Sequence, residues 1–222
     1  MVKSKGWTLR DKFVLGTLAL ALIWNSTSSL LGWGWITATV ISFLIPLLML
    51  GYAYFKGDSL LPKLLLFGIV GGLVELLADR YLVLTTKTLV YVPGGPFWLS
   101  SPLYMPFAWC VVLTQLAYIG WRFRQRFGLV WAMLLSALLG AVNIPLYEQW
   151  ALGAQWWYYR NTPMLGATPW YIIAGEFLIV GALPWLLGKV QKSSFGWAAA
   201  LGVVEGFWIW VCYALAFQAF GG

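Results

Sequence analysis

Four glutamates, Glu75, Glu148, Glu176 and Glu205, each sit in or at the end of a different apolar stretch of the chain. An ionisable side chain at membrane depth is costly and by default faces a bundle interior, so the four together mark a functional interior. A carboxyl group in an apolar surround resists ionising, and one of a close pair resists it more strongly. Such a group can stay protonated and act as a Brønsted acid, while a neighbour that keeps its charge accepts a proton or orients a water. The alternative is that each acid only bonds another helix, as polar groups in membranes do. Asp79 follows Glu75 by one helical turn and shares its face, and Asn143 lies a turn or so before Glu148. Asp79, Arg80 and Arg160 read as an ion-paired anchor at headgroup level or as part of a polar pocket.

Several other chemistries lack their residues. The chain has no histidine, which argues against His-ligated iron, haem or His-based proton relays. There is no phosphate-binding loop, dinucleotide glycine fingerprint or Asp-rich diphosphate motif either. Neither a cofactor nor a metal is therefore expected, and chemistry would run on carboxylates, Arg, Tyr and water. Cys110 and Cys212 fall inside apolar spans, where a thiol behaves as a small hydrophobe; a disulfide between them cannot be inferred from two residues.

The elements that position these groups are membrane-spanning helices. With 61% hydrophobic and 9% charged residues, the chain reads as one all-α, polytopic helical bundle of residues 1–222 without a soluble domain. Seven stretches are long enough to cross the hydrocarbon: 13–32, 35–55, 62–83, 101–121, 128–150, 169–187 and 195–219. The first runs on through Asn25 and Ser26 without a small-residue cleavage site, so it is expected to be a retained helix. Lys3, Lys5, Arg10 and Lys12 precede the first span, Lys56 and Lys63 separate the second and third, Arg122, Arg124 and Arg126 join the fourth and fifth, and Lys189 and Lys192 join the last two. Most of the 14 cations thus fall on one side, which predicts a cytoplasmic N-terminus, an outer C-terminus and contact with membrane lipids. The net charge of +7 needs no nucleic-acid partner.

The two longer outer connections, 80–100 and 151–168, interleave Trp, Tyr, Pro and Gly. They read either as an aromatic belt at the headgroups or as a lid over an apolar substrate. Ser101-Pro102-Leu103-Tyr104 matches Thr168-Pro169-Trp170-Tyr171, which is either shared helix capping or the trace of a parallel repeat of 62–121 and 128–187.

Glu75 followed by a Gly/Pro/aromatic connection and Pro102-Leu103-Tyr104-Met105-Pro106-Phe107-Ala108-Trp109 resembles the membrane-integral carotenoid biosynthesis proteins of the carotenoid 1,2-hydratase type. Tyr147-Glu148, Trp156-Trp157-Tyr158, Thr162-Pro163 and Thr168-Pro169-Trp170 are similar to that family's second acidic helix and its aromatic connection. Glu75 with Val204-Glu205-Gly206 resembles, more loosely, the acids of the small seven-helix terpene cyclases of fungal meroterpenoid pathways. Both resemblances imply protonation of a double bond or epoxide of a lipid-soluble isoprenoid, followed by hydration or cyclisation; the membrane itself is expected to be a bacterial inner membrane. Glu75 would be the acid, Glu148 the base, and Glu176 and Glu205 would support them. Asn143, Asp79, Arg80, Tyr104, Trp109, Trp157, Tyr158, Arg160 and Tyr171 would line the substrate. The same acids would also suit a small proton- or cation-coupled transporter or a membrane assembly factor.

Overall fold

The computed structural model describes residues 6–222, and Lys3 and Lys5 lie outside the described residues. Seven α-helices form the bundle: α1 (Leu9–Leu31), α2 (Trp35–Lys56), α3 (Leu60–Arg80), α4 (Met105–Phe127), α5 (Leu129–Gly153), α6 (Trp170–Val190) and α7 (Phe195–Phe220). Six short strands occupy the two long connections. β1 (Leu89–Tyr91), β2 (Phe97–Trp98) and β3 (Ser101–Pro102) lie between α3 and α4; β4 (Trp157–Tyr159), β5 (Met164–Leu165) and β6 (Thr168–Pro169) lie between α5 and α6. All of the helices except α4 are long and apolar enough to cross a membrane. Large apolar side chains such as Ile23, Leu30, Leu47, Val130 and Val142 point outward from them, a surface suited to hydrocarbon.

α4 differs because of where it sits. It packs against α2, α3, α5 and α6, so protein covers much of its length, and Gln115 and the arginines of its last turns are tolerated there. Arg122, Arg124 and Arg126 belong to this helix and not to a connection, since cations in a last turn complement the carbonyl end of the helix dipole. Arg10 and Lys12 likewise fall within α1 instead of preceding it. A capping box of Thr8 with Asp11 starts that helix at Leu9, ahead of the apolar run. Lys63 falls in the first turns of α3 and Lys189 in the last turn of α6. The fourth helix begins at Met105 instead of residue 101 because Ser101–Pro102 pairs as a strand with Phe97–Trp98.

The two long connections are built alike. A left-handed residue, Lys87 in one and Gln155 in the other, precedes β1 and β4 by two positions. A hairpin follows each, turning through left-handed Leu99 or Gly166, and leads into α4 or α6. β1 and β4 pair with each other antiparallel, Leu89 opposite Tyr159 and Tyr91 opposite Trp157, which ties the connections into one two-stranded plate. α3 ends in a π-helical turn, Tyr81–Thr85, before β1.

Glycines set the helix spacing around α3. Gly68 and Gly72 face the α4 backbone at Cys110 and Pro106, while Gly202 and Gly206 of α7 press on the backbone of α3 at Phe67 and Gly71. Small residues at such crossings let membrane helices approach closely. A methyl group on Gly72 would lie against the carbonyl of Pro106, with that residue's Cα and carbonyl carbon both at 3.0 Å. Gly72→Ala should therefore push α3 from α4 and cost about 1–3 kcal/mol, read as a lowered unfolding midpoint in detergent.

Candidate functional site

Every acid of the bundle interior is buried: Glu75 and Asp79 on α3, Glu148 on α5, Glu176 on α6 and Glu205 on α7. Glu75, Asp79, Glu148 and Glu176 line a single chamber of about 90 Å³. Asn143, Ile144 and Tyr147 from α5, Trp109 and its neighbours from α4, and Tyr213 from α7 complete its walls. The roof is the plate of β1 and β4. Successive strand residues point to opposite faces, so Leu89 and Tyr91 meet Trp157 and Tyr159 on the chamber side.

Oriented donors hold the carboxyl groups. The Trp157 indole N–H donates to Glu148 Oε2 at 2.6 Å, and the Tyr159 hydroxyl donates to Oε1 at 3.3 Å. The Tyr91 hydroxyl donates to Asp79 Oδ2 at 2.5 Å, and the Tyr213 hydroxyl to Glu176 Oε1 at 2.6 Å. Burial, reinforced by Asp79 beside Tyr91 and Glu148 beside Tyr159, holds both phenols well above their ordinary range, so they act as donors. Among the described residues no Lys or Arg pairs with any of these carboxyls; the ion pairs are Arg10 with Asp58 and Arg122 with Asp11. Glu75 Oε2 and both oxygens of Glu205 have no donor among the described residues.

The sequence-derived set divides cleanly. Glu75, Asp79, Trp109, Asn143, Glu148, Trp157 and Glu176 come together in the chamber. Glu205 does not reach its lining; it is wholly buried on α7, where its neighbour Gly206 packs on α3. Arg80 and Arg160 are exposed, which removes the expected ion pair with Asp79. Residues 79 and 80 are adjacent on a helix and face different directions, and only Asp79 turns inward. Tyr158 points away from the chamber because it sits between the two inward residues of β4. Tyr171 is buried behind the roof, its hydroxyl bonded to that of Thr88 at 2.7 Å. Tyr104 lines a smaller neighbouring cavity of about 50 Å³, which shares Ala108, Val112, Tyr147 and Trp157 with the chamber and extends to α1 and α2. The cysteines are free and buried.

Tyr91, Tyr147, Tyr159 and Tyr213 complete the site beyond the expected set. The first and third were legible as alternate residues of aromatic segments; Tyr213 carries no signal, since only the α6–α7 packing brings it to Glu176. Tyr213→Phe leaves a buried carboxyl oxygen without its donor and should cost about 1–3 kcal/mol, measured by thermal unfolding against wild type.

A family model described as "Domain of unknown function (DUF6989)" matches residues 76–220, which takes in every chamber residue except Glu75. No curated protein and no solved structure matches the chain.

Proposed function

The chain belongs to the family described as Domain of unknown function (DUF6989), and from its chamber we propose that it is a membrane-embedded acid–base enzyme acting on an unsaturated isoprenoid-like lipid. The observation that carries this reading is the convergence of Glu75 and Glu148 on one aromatic-walled cavity, with unequal shares of hydrogen-bond donors. Glu148 receives two donors and is equipped to carry negative charge, the state needed of a base. Glu75 has an oxygen without any donor and is the group suited to arrive with a proton and give it up. Transfer of that proton to a double bond or epoxide leaves a carbocation, which the faces of Trp109, Tyr147, Trp157 and Tyr213 stabilise. Water then adds and loses its proton to Glu148, or an internal double bond closes a ring before a proton leaves to the same group. Passing that proton back to Glu75 restores the starting state.

A volume of about 90 Å³ admits a few waters or the end of a branched chain, so the reaction is confined to a terminal unit. The adjoining cavity toward α1 and α2 offers the rest of an apolar chain a path from the bilayer. We assign all seven helices as spans, with the Lys- and Arg-rich end in the cytoplasm of a bacterial inner membrane and the plate of β1 and β4 toward the outside. The similar construction of the two connections favours a parallel repeat, 62–121 with 128–187, around an axis along the membrane normal.

The competing reading, a proton- or cation-coupled pathway, has less support. α5 and α6 continue as helices through Pro145 and Pro184, without the unwound segments typical of transporter sites. Lipid and pigment profiles of cells with and without the chain should differ by a hydrated or cyclised isoprenoid. Glu75→Gln and Glu148→Gln should each lower its formation by about 100-fold or more, and Glu205→Gln by less. Full formation in both chamber variants removes the assignment. An unchanged profile, with gradient-driven flux in proteoliposomes, replaces it with transport.

A further inference from the structure

A second, larger cavity lies away from the chamber, at the end of the bundle where the cations gather. It measures about 900 Å³ and opens between the start of α1, the end of α4 and the end of α6. Its lining includes Arg122, Arg124, Arg126 and Lys192, and a single carboxylate, Asp11. That carboxylate is already engaged. Its Oδ2 accepts from the backbone and hydroxyl of Thr8 at 2.6 and 2.7 Å, and its Oδ1 accepts from the Tyr118 hydroxyl at 2.7 Å and from Arg122 Nε at 3.0 Å. Asp11, together with Gln125, whose Oε1 accepts from Arg122 Nη1 at 2.7 Å, thus serves to aim the Arg122 guanidinium.

Arg124 is placed by a different device. Its Nη1 donates to the Pro184 carbonyl at 3.1 Å, and its guanidinium sits against α6 at Gly188. A methyl group there would overlap Nη1 and come within 2.7 Å of Cζ, so the glycine is what gives the arginine its seat. Nearby, the Trp121 indole is fixed by Gln191 Oε1 at 3.1 Å. Two pre-placed guanidiniums, two further cations and the rings of Trp7 and Trp121 make a cradle that is anionic-selective, with aromatic walls for an adjoining apolar portion.

We propose that this cavity binds an anionic phosphate ester, with Arg122 and Arg124 as its principal ligands. The volume lies within the range of small-molecule sites, and planar guanidinium forks match phosphate oxygens. The same chemistry is presented by an anionic phospholipid headgroup and by free phosphate, and the probes separate the two.

The full chain in neutral detergent is titrated with phosphatidylglycerol, with zwitterionic phosphatidylcholine and with sodium phosphate, and thermal midpoints are recorded. Phosphatidylglycerol should raise the midpoint where phosphatidylcholine does not, which assigns a lipid headgroup; an equal rise with sodium phosphate assigns the free anion. Arg124→Gln and Gly188→Ala should each weaken the response by about tenfold in midpoint concentration, the loss expected for one charge-assisted contact. Lys56→Gln, a cation outside the cavity, should respond as wild type. Arg126→Gln supplies the reading if Arg124→Gln does not fold. A wild-type response in the cavity variants, an equal loss in Lys56→Gln, or no response to either anionic probe overturns the proposal.

Discussion

Among the described residues, five carboxyl groups are buried in this bundle without a cation to match them, and much of the surrounding architecture answers that constraint. A buried carboxylate needs donors, and here they are phenols and indoles held by rigid surroundings. Tyr91, Trp157 and Tyr159 come from the strand plate, and Tyr213 comes from α7. The plate therefore does more than cover the chamber: it carries the groups that make two of the acids tolerable. The donors are unequally shared, and that asymmetry distinguishes otherwise similar acids. The acids at the other end follow a different rule, since Asp11 and Asp58 each meet an arginine.

The seven helices were legible because length and apolar content dominate their formation, and six of them are long and apolar enough to cross a membrane. Their ends were less so, because capping at Thr8 and Asp11 and the strand pairing of Ser101–Pro102 are local events that hydropathy does not register. The inward direction of Glu75 and Asp79 followed from helical spacing, and the structure places both in the chamber. Arg80 and Arg160 stood open between a headgroup-level position and a pocket wall, and both are exposed and outside the chamber lining; charge alone does not say which face a residue takes. Tyr158 stays out of the chamber lining, because strand alternation, which a connection read from sequence does not register, puts only Trp157 and Tyr159 inside. Tyr213 depends on tertiary packing between α6 and α7 and had no local trace.

Close approach and polarity are linked at α3. Gly68 and Gly72 on one side, and Gly202 and Gly206 of α7 on the other, bring backbones together around the helix that carries Glu75 and Asp79. Tight packing covers the faces of that helix that carry the acids, while Leu73 and Leu77 stay exposed on its outer face. α4 benefits from the same enclosure, which lets a central helix carry Gln115 and end in arginines while its neighbours meet hydrocarbon.

The antiparallel register of β1 with β4 also restricts how the chain can change in length. Inserting or deleting one residue between α3 and β1, or between α5 and β4, would rotate the strand by half a period and send Tyr91, or Trp157 with Tyr159, to the outside. Changes of two residues preserve facing. Length variation in these two segments is thus governed by parity.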